Sequence, residues 1–215
     1  MRLTRVILAL FLVFSGYVLF RSPLFEIRRV DVQGNSAVPR AEIEDSAAVP
    51  LGRNIFEVDL RLVRERLLGI PMLKDAEVYR SLPSTVVIRV VERVPVALVP
   101  VAGGFAEVDG DGVFLRRGSV GASGLPVLTG VRVAAAQLGR PIEGSGLAEG
   151  LSVLRGLGPA LAVELSEIHV GREVLLYTLD GIEVRLGPAE NLEAKARVLP
   201  GLLVALRSGG KRILY

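Results

Sequence analysis

The sequence predicts an α+β protein with a single N-terminal transmembrane helix, a small β-α-α-β-β domain, and a mixed α/β domain dominated by an antiparallel sheet. Three patterns in the 215 residues lead to this fold class: an unbroken apolar run over residues 6–20, alternating apolar and polar positions within 24–93, and short apolar stretches separated by Gly and Asp within 95–215. Half of the residues are hydrophobic and the mean hydropathy is +0.47. This composition excludes a disordered or collagen-like chain.

Residues 6–20 carry no charged side chain and form the predicted membrane anchor. Extended back to residue 3, a helix here would be about 27 Å long, close to the ~30 Å hydrocarbon core, with Arg5 reaching up to the headgroups. The anchor positions that we single out along this helix are Val6, Leu10, Val13, Tyr17 and Phe20.

Two other interpretations of the apolar run stay open. A cleaved signal peptide has the same basic and apolar regions, but no small-residue cleavage site follows, and Pro23 would obstruct cleavage after Ser22. A buried core helix is the second. The orientation of an anchor is also undecided by charge, because the basic residues on its two sides nearly balance: Arg2 and Arg5 on one side, Arg21, Arg28 and Arg29 on the other.

The first predicted domain follows the anchor, and its periodicities change from strand to helix and back to strand. Asp59 stands where a helix N-cap belongs, and Gly34-Asn35 has the composition of a tight turn. The predicted elements are a strand over 25–33, helices over 41–48 and 59–68, and strands over 74–81 and 85–93 joined by a turn at 82–84.

The second predicted domain consists of short strands and two helices. Asp109 to Gly112 reads Asp-Gly-Asp-Gly, which could suggest a calcium loop, but the position where an EF-hand needs its bidentate Glu is Val120, so a hairpin turn is predicted. The predicted elements are strands over 96–101, 105–108, 113–115, 163–170, 173–179 and 182–186, with helices over 144–157 and 188–206.

Residues for catalysis or for metal binding are scarce. There is no cysteine and His169 is the single histidine, which excludes thiol chemistry and zinc sites built on Cys or on two His. We predict His169 to be an ordinary strand residue. No spacing supplies a nucleophile, a base and an orienting group together, so we predict no enzyme activity, no cofactor, no metal site and no small-molecule substrate.

The charges give no footprint for nucleic acid. All but three of the 26 basic residues are arginine, the net charge is +3, and basic residues cluster no further than pairs such as Arg28-Arg29. We therefore predict no nucleic-acid partner.

Three motifs within 25–97 resemble the POTRA domain of the FtsQ/DivIB cell-division family. They are Phe25-x-Ile27-x-x-Val30-x-Val32-x-Gly34-Asn35, then Gly52-x-Asn54-Ile55-Phe56-x-Val58-Asp59, and a run from Pro71 that ends Glu92-Arg93-x-Pro95-Val96-Ala97. The last run is the most specific. Taken by itself it has a purely structural interpretation, with Glu92 and Arg93 as exposed charges at a strand end. The resemblance continues through Asp109–Phe114, Leu125-Pro126 and Arg185–Gly187, and so covers residues 24–215.

The resemblance implies a single-pass protein of the inner membrane at the division septum. Residues 1–5 would be a short cytoplasmic tail and 6–20 the anchor, followed outside the membrane by the POTRA domain (24–93) and the FtsQ-type β domain (95–215). Such a protein is a divisome scaffold that links early and late septal proteins and controls septal peptidoglycan synthesis. In the family, the POTRA domain serves recruitment, and the end of the β domain binds the small coiled-coil proteins FtsB and FtsL.

The resemblance also identifies candidate partner-binding residues: Arg212, Ile213, Leu214 and Tyr215 match the beginning of the family's terminal strand. The family usually continues with a strand of Asp-Leu-Arg type, so this strand is either shortened or truncated. Alternatively, Ile213 and Leu214 only complete a core sheet.

Two further classes of function are weighed against the division scaffold. A POTRA-type protein of an outer-membrane assembly or secretion pathway would need a run of ~10-residue alternating strands, and residues 95–215 are too few and are interrupted by helices. An anchored periplasmic hydrolase would need a catalytic cluster, for which no motif is present.

Overall fold

The chain divides into two compact units, one ending at Glu92 and the other beginning at Arg93. The computed structural model describes residues 2–209 and 213–214. The first unit contains helix α1 (Arg2–Phe20), a 3-10 turn (Pro23–Phe25), strand β1 (Arg29–Gln33), helices α2 (Arg40–Ala47) and α3 (Leu60–Leu67), and strands β2 (Leu73–Ser81) and β3 (Thr85–Glu92).

The second unit begins with a series of strands and ends with one. Its elements are β4 (Pro95–Val101), β5 (Gly104–Asp109), β6 (Phe114–Gly118), β7 (Val127–Thr129), β8 (Arg132–Ala135), β9 (Glu143–Ser145), α4 (Leu147–Leu157), α5 (Pro159–Ala162), β10 (Leu165–Val170), β11 (Val174–Thr178), β12 (Glu183–Gly187), α6 (Leu192–Gly209) and β13 (Ile213–Leu214).

The first unit is a three-stranded sheet with two helices packed on it. The strand order is β1-β3-β2, with β1 parallel and β2 antiparallel to β3. Asp59 caps α3 by accepting the amide N–H of Arg61 at 2.9 Å, and the apolar stripe of α3 buries Val63 and Leu67. The predicted β-α-α-β-β order and this helix cap are confirmed.

The start of the first predicted strand was wrong. Residues 25–27 do not join the sheet; they run beside the loop before α3 instead. The amide of Ile27 donates to the carbonyl of Arg53 at 2.9 Å, and the amide of Ile55 donates to that of Phe25 at 2.8 Å. The apolar residues alternate in this segment because Ile27 is also buried when it pairs with the loop. The sequence pattern therefore could not distinguish this loop pairing from a strand of the sheet.

Glu92 is not the exposed strand-end charge that we expected. It is half-buried, and its carboxylate accepts the backbone amides of Ser36, Ala37 and Val38 at 2.8, 2.8 and 2.9 Å. The loop after β1 therefore obtains its hydrogen bonds from the last residue of β3.

The same expectation was wrong for Arg93. Its Nη1 donates to Oδ2 of Asp109 at 2.5 Å, and the two side chains are only 18% and 6% exposed. Asp109 Oδ1 accepts the amides of Asp111 and Val113, which closes the predicted turn between the antiparallel strands β5 and β6. Arg93 and Asp109 thus form an ion pair that holds the first residue of the second unit to this hairpin.

The second unit is built around an eight-stranded sheet of order β13-β12-β11-β10-β7-β4-β5-β6. The sheet contains two antiparallel groups, β10–β12 and β4–β6, joined through β7, which is parallel to both β10 and β4. The eighth strand, β13, is parallel to β12 at one edge. The predicted mixed domain with a dominant antiparallel sheet is confirmed. β7 was missed because three residues are too few to show an alternation.

Helices α4 and α6 cover one face of this sheet. Leu192, Ala196, Leu199 and Leu203 form the buried stripe of α6 and join the core beside Leu154 of α4. At Gly156 the two helices approach so closely that a Cβ would lie 2.4 Å from the carbonyl oxygen of Glu193. The predicted helix over 144–157 begins later, at Leu147, because Glu143–Ser145 pairs with β8.

Helix α1 exposes its large apolar side chains. Each of the predicted anchor positions Val6, Leu10, Val13, Tyr17 and Phe20 is more than half exposed. Across the described residues, none of the helices combines the length and the hydropathy that a membrane crossing requires.

Candidate partner-binding surface

Two of the four predicted partner-binding residues, Ile213 and Leu214, fall at one edge of the eight-stranded sheet. Ile213 and Leu214 form β13, the last strand in the sheet order, and pair in parallel with Glu183 and Val184 of β12. Arg212 and Tyr215 lie outside the described residues. An edge strand offers backbone N–H and C=O groups to a further strand, so this edge can bind a partner by extending the sheet.

Next to this edge lies the sheet face that α4 and α6 do not cover, which we call the outer face and define by Thr129, Glu167, His169, Leu175 and Tyr177. Register places Thr129, His169 and Leu175 side by side on β7, β10 and β11, and Glu167 beside Tyr177. All five residues are half-buried. A leucine and a tyrosine among polar side chains are typical of the mixed chemistry of protein interfaces.

The polar part of the outer face is a small hydrogen-bond network. The hydroxyl of Thr129 donates to Glu167 Oε1 and lies 2.9 Å from Nδ1 of His169. A hydroxyl has one proton and a carboxylate only accepts, so His169 must donate from Nδ1 to the Thr129 oxygen. The threonine proton is directed at Glu167 and away from the imidazole, so this network orders the face without preparing a nucleophile.

The sequence did not predict this network: of its three residues, only His169 was named, as an ordinary strand residue. Thr129 and His169 are 40 positions apart, and Thr129 belongs to the strand that the sequence did not reveal. His169 lies in β10 as predicted.

Polar clusters elsewhere in the second unit serve the fold. Glu107 is buried on β5, where it accepts hydrogen bonds from Nε of Arg116 at 2.8 Å and from the hydroxyl of Ser123 at 2.6 Å. Within residues 2–209 and 213–214, no three His, Asp or Glu side chains converge in a group that could hold a metal ion.

The first unit has its own exposed sheet face, opposite α2 and α3. Arg89 lies there with its guanidinium 5.7 Å from the ring centre of Tyr79 and 3.5 Å from a carboxylate oxygen of Glu77.

A second fixed pair in this unit joins Arg64 of α3 to Asp75 of β2. The hydrogen bond from Arg64 and the hydrogen bond from the amide of Ala76 lower the pKa of Asp75, although burial opposes them. This unit thus presents charged and aromatic side chains held in fixed pairs.

Comparison with protein families matches both units. Residues 25–93 match the POTRA domain of FtsQ type, and residues 97–215 match the C-terminal domain of the cell division protein FtsQ/DivIB. The second match is to the division family rather than to a protein of outer-membrane assembly or secretion.

Curated relatives agree with these matches. The chain is 32% identical to the cell division protein FtsQ of Streptomyces collinus, over 94% of this chain and 80% of the relative, and 31% identical to that of Streptomyces griseus, over 88% and 93%. FtsQ of Anaeromyxobacter is 32% identical over 90% of this chain and 67% of the relative.

Among solved structures, the major extracytoplasmic domain of DivIB from Geobacillus stearothermophilus aligns with a TM-score of 0.41 at 25% identity, covering 55% of this chain and 97% of that one. The family matches together extend from residue 25 to residue 215. The chain belongs to the FtsQ/DivIB family of bacterial cell division proteins.

Proposed function

We propose that the protein is a non-enzymatic scaffold of the divisome, which links early and late septal proteins and controls septal peptidoglycan synthesis through protein contacts. The observation that supports this proposal most directly is the position of β13 at the edge of the eight-stranded sheet, inside the region that matches the family's C-terminal domain. The membership of this chain in a cell-division family supports the septum as its site of action.

In this proposal FtsB and FtsL bind along the edge formed by β12 and β13. Backbone pairing would supply affinity, and side chains at alternate positions would supply specificity. Arg212, Ile213, Leu214 and Tyr215 are the proposed contact residues, with the outer face beside them as the second part of the surface.

The proposed topology is that of a single-pass protein of the inner membrane. Residues 1–5 lie in the cytoplasm, residues 6–20 cross the membrane, and residues 24–93 and 95–215 lie outside it. The exposed apolar side chains of α1 support an anchor here. The first unit, which matches the FtsQ-type POTRA domain, serves recruitment to the division site.

A binding titration tests the partner site. The doubly substituted Ile213→Lys/Leu214→Lys chain should bind an FtsB–FtsL complex at least about tenfold more weakly, a loss of about 1.4 kcal/mol, because lysines on an edge strand oppose strand addition. Extending the chain after Tyr215 with the Asp-Leu-Arg type of strand should tighten binding.

The matched control places the same lysines on exposed positions of the first unit, Val91 and Leu82, and should leave the affinity unchanged. Equal affinity of the edge variant and its parent, or of the chains with and without the extension, would rule out the C-terminal site.

Imaging tests the wider role. A fluorescent fusion should concentrate at the septum of dividing cells, and depletion of the protein should block septation. A diffuse membrane signal with normal septation after depletion would contradict the division role itself, whatever the titration shows.

A further inference from the structure

The end of α1 is fastened to a loop that lies far away in the sequence. Nδ2 of Asn54 donates a hydrogen bond to the carbonyl oxygen of Phe20 at 2.5 Å, across 34 positions. The ring of Phe20 contacts the ring of Phe56 edge-on at 5.2 Å, and Phe25 completes a trio at 5.3 Å from Phe56 and 6.1 Å from Phe20. One hydrogen bond and one direct aromatic contact therefore link the helix to residues 51–56, which we call the anchor-side loop, and Phe25 bridges the two rings of that contact.

The anchor-side loop is itself held in place. Oδ1 of Asn54 accepts the amide of Phe56 at 3.0 Å, while Arg53 and Ile55 are hydrogen-bonded to the chain at residues 25–27. Asn54 thus uses its amide group in both directions: the nitrogen holds the helix end and the oxygen shapes the loop. The fixed geometry means that wherever Phe20 lies, Phe56 lies beside it.

The side chains around this junction are apolar and cationic. Phe56 is 40% exposed and Leu51 is 64% exposed. Arg21 and Arg53 are exposed, and the guanidinium of Arg21 lies 5.3 Å from the ring centre of Tyr17. Aromatic rings with arginines beside them are the composition found at the headgroup level of membranes.

We propose that the anchor-side loop is a second membrane contact, in which Phe56 enters the headgroup layer of a phospholipid bilayer and Arg21 and Arg53 approach its phosphates. The bilayer is the occupant because Phe56 continues the exposed apolar surface of α1 through its contact with Phe20. This inference rests on the proposed anchoring by residues 6–20. It adds that the first unit is held against the bilayer and does not hang on a flexible tether.

The chain contains no tryptophan, so a single introduced tryptophan reports on its own surroundings. The full-length chain carrying Phe56→Trp is reconstituted into vesicles of phosphatidylcholine and phosphatidylglycerol, with and without bromine on the acyl chains near the headgroups. We expect brominated lipid to quench the tryptophan emission, because bromine near the headgroups then lies close to an aromatic ring at headgroup depth.

The matched reporter is Val91→Trp, which is exposed near the other end of β3, about 20 Å along the strand from Thr85. The amides of Arg28, just before β1, and of Arg29, its first residue, donate to the carbonyl of Ser84 at the Thr85 end of β3. The emission of the Val91→Trp chain should be the same in vesicles with and without bromine. Equal quenching of the two reporters would overturn the proposal, because contact would then not be specific to the anchor-side loop.

A second variant tests the role of Asn54. In the Phe56→Trp background, Asn54→Asp keeps an oxygen for the amide of Phe56 but removes the donor to the Phe20 carbonyl, and we expect the quenching to fall toward the Val91→Trp level. Asn35→Asp is the control, since it removes a comparable side-chain donor to the carbonyl of Val38 and should leave the quenching unchanged. Full quenching in the Asn54→Asp chain would show that the hydrogen bond from Asn54 to Phe20 does not position the anchor-side loop.

Flotation of the same vesicles separates this inference from the anchor. A chain that floats with the vesicles while its Phe56→Trp emission is unaffected by bromine would overturn the loop contact and leave the anchor standing. A chain that does not float would overturn both. Flotation with selective quenching of Phe56→Trp supports both.

Discussion

Oε1 of Glu92 accepts the backbone amide of Val38 at 2.9 Å, although the two residues are 54 positions apart in the chain. The same carboxylate accepts the amides of Ser36 and Ala37. The last residue of β3 therefore fixes the loop that connects β1 to α2. This contact gives the glutamate of the Glu92-Arg93 motif a structural role.

Replacing this carboxylate should loosen the first unit in a way that depends on pH. Burial raises the pKa of Glu92, but the hydrogen bonds from Ala37, Ser36 and Val38 outweigh it and the pKa is lowered. The carboxylate therefore stabilises the fold at pH values above its unfolded pKa of about 4.3, and that contribution is lost as the pH falls through the lower folded pKa. Glu92→Gln should cost on the order of 1–3 kcal/mol at neutral pH.

Urea unfolding at neutral and at acid pH, with hydrogen exchange of the Ser36–Val38 amides, measures this effect. The difference between Glu92→Gln and the parent should shrink in acid. Glu57→Gln, at an exposed position outside the helices, makes the same chemical change as a control and should shift neither readout. A pH-independent difference at Glu92 would contradict the charge-based account.

Gly34 and Gly52 should respond very differently to alanine. Both have positive φ, +84° and +77°, but a Cβ at Gly34 would lie 2.3 Å from the carbonyl oxygen of Val90, whereas Gly52 has open space. Gly52→Ala should cost about 1–2 kcal/mol for its backbone conformation alone. Gly34→Ala should cost more than about 4 kcal/mol, among the largest effects of single substitutions. Thermal unfolding of the two variants compares them; similar losses would mean that β3 can move away from Gly34.

The buried pair of Arg93 and Asp109 should matter more than the exposed pair of Arg89 and Glu77. Arg93→Met leaves a carboxylate that is 6% exposed without its cation, and should destabilise the second unit by about 3–5 kcal/mol. Arg89→Met breaks a pair whose side chains are 52% and 66% exposed, and should cost about 0–1 kcal/mol. Hydrogen exchange of the Asp111 and Val113 amides localises the effect. An unchanged exchange rate in the Arg93→Met chain would show that Asp109 holds the turn unaided.

Alanine should have opposite effects at two helical glycines of the second unit. At Gly156 a Cβ would meet the Glu193 carbonyl at 2.4 Å and Cβ of Ala196 at 2.8 Å, so Gly156→Ala should push α4 and α6 apart and cost about 1–3 kcal/mol. Gly201 lies in α6 with open space around it, so Gly201→Ala should stabilise by about 0.8–1 kcal/mol. Circular dichroism during urea unfolding measures both. Stabilisation by Gly156→Ala would disprove the close helix contact.

Local chemistry was what the sequence could predict. Three features depend on residues only a few positions apart: the cap at Asp59, the turn from Asp109 to Gly112 and the buried stripe of α6. The sequence pattern alone therefore predicts them. The β-α-α-β-β succession of elements along the first unit followed from the same short-range signals.

Contacts between distant residues could not be predicted in this way. Glu92 and Arg93 were predicted as surface charges because their partners, the amides of Ser36–Val38 and the carboxylate of Asp109, are brought to them only by the folded chain. The bond between Asn54 and Phe20 is of the same kind. At the candidate site, the terminal residues came from family resemblance, whereas the outer face depends on β7, whose three residues show no periodicity.

The position of β7 also has a consequence for the order in which the second unit folds. Strands β4 to β6 pair with their neighbours in the chain, as do β10 to β12, and such local hairpins form early because little chain entropy is lost. β7 is parallel to β10, and Thr129 pairs with a residue 40 positions later, so we expect this seam between β7 and β10 to close after both hairpin groups have formed. The outer face spans that seam. A chain synthesised from its N-terminus therefore brings Thr129, Glu167 and His169 together only after β10 has been made, so we expect the outer face to form late in folding.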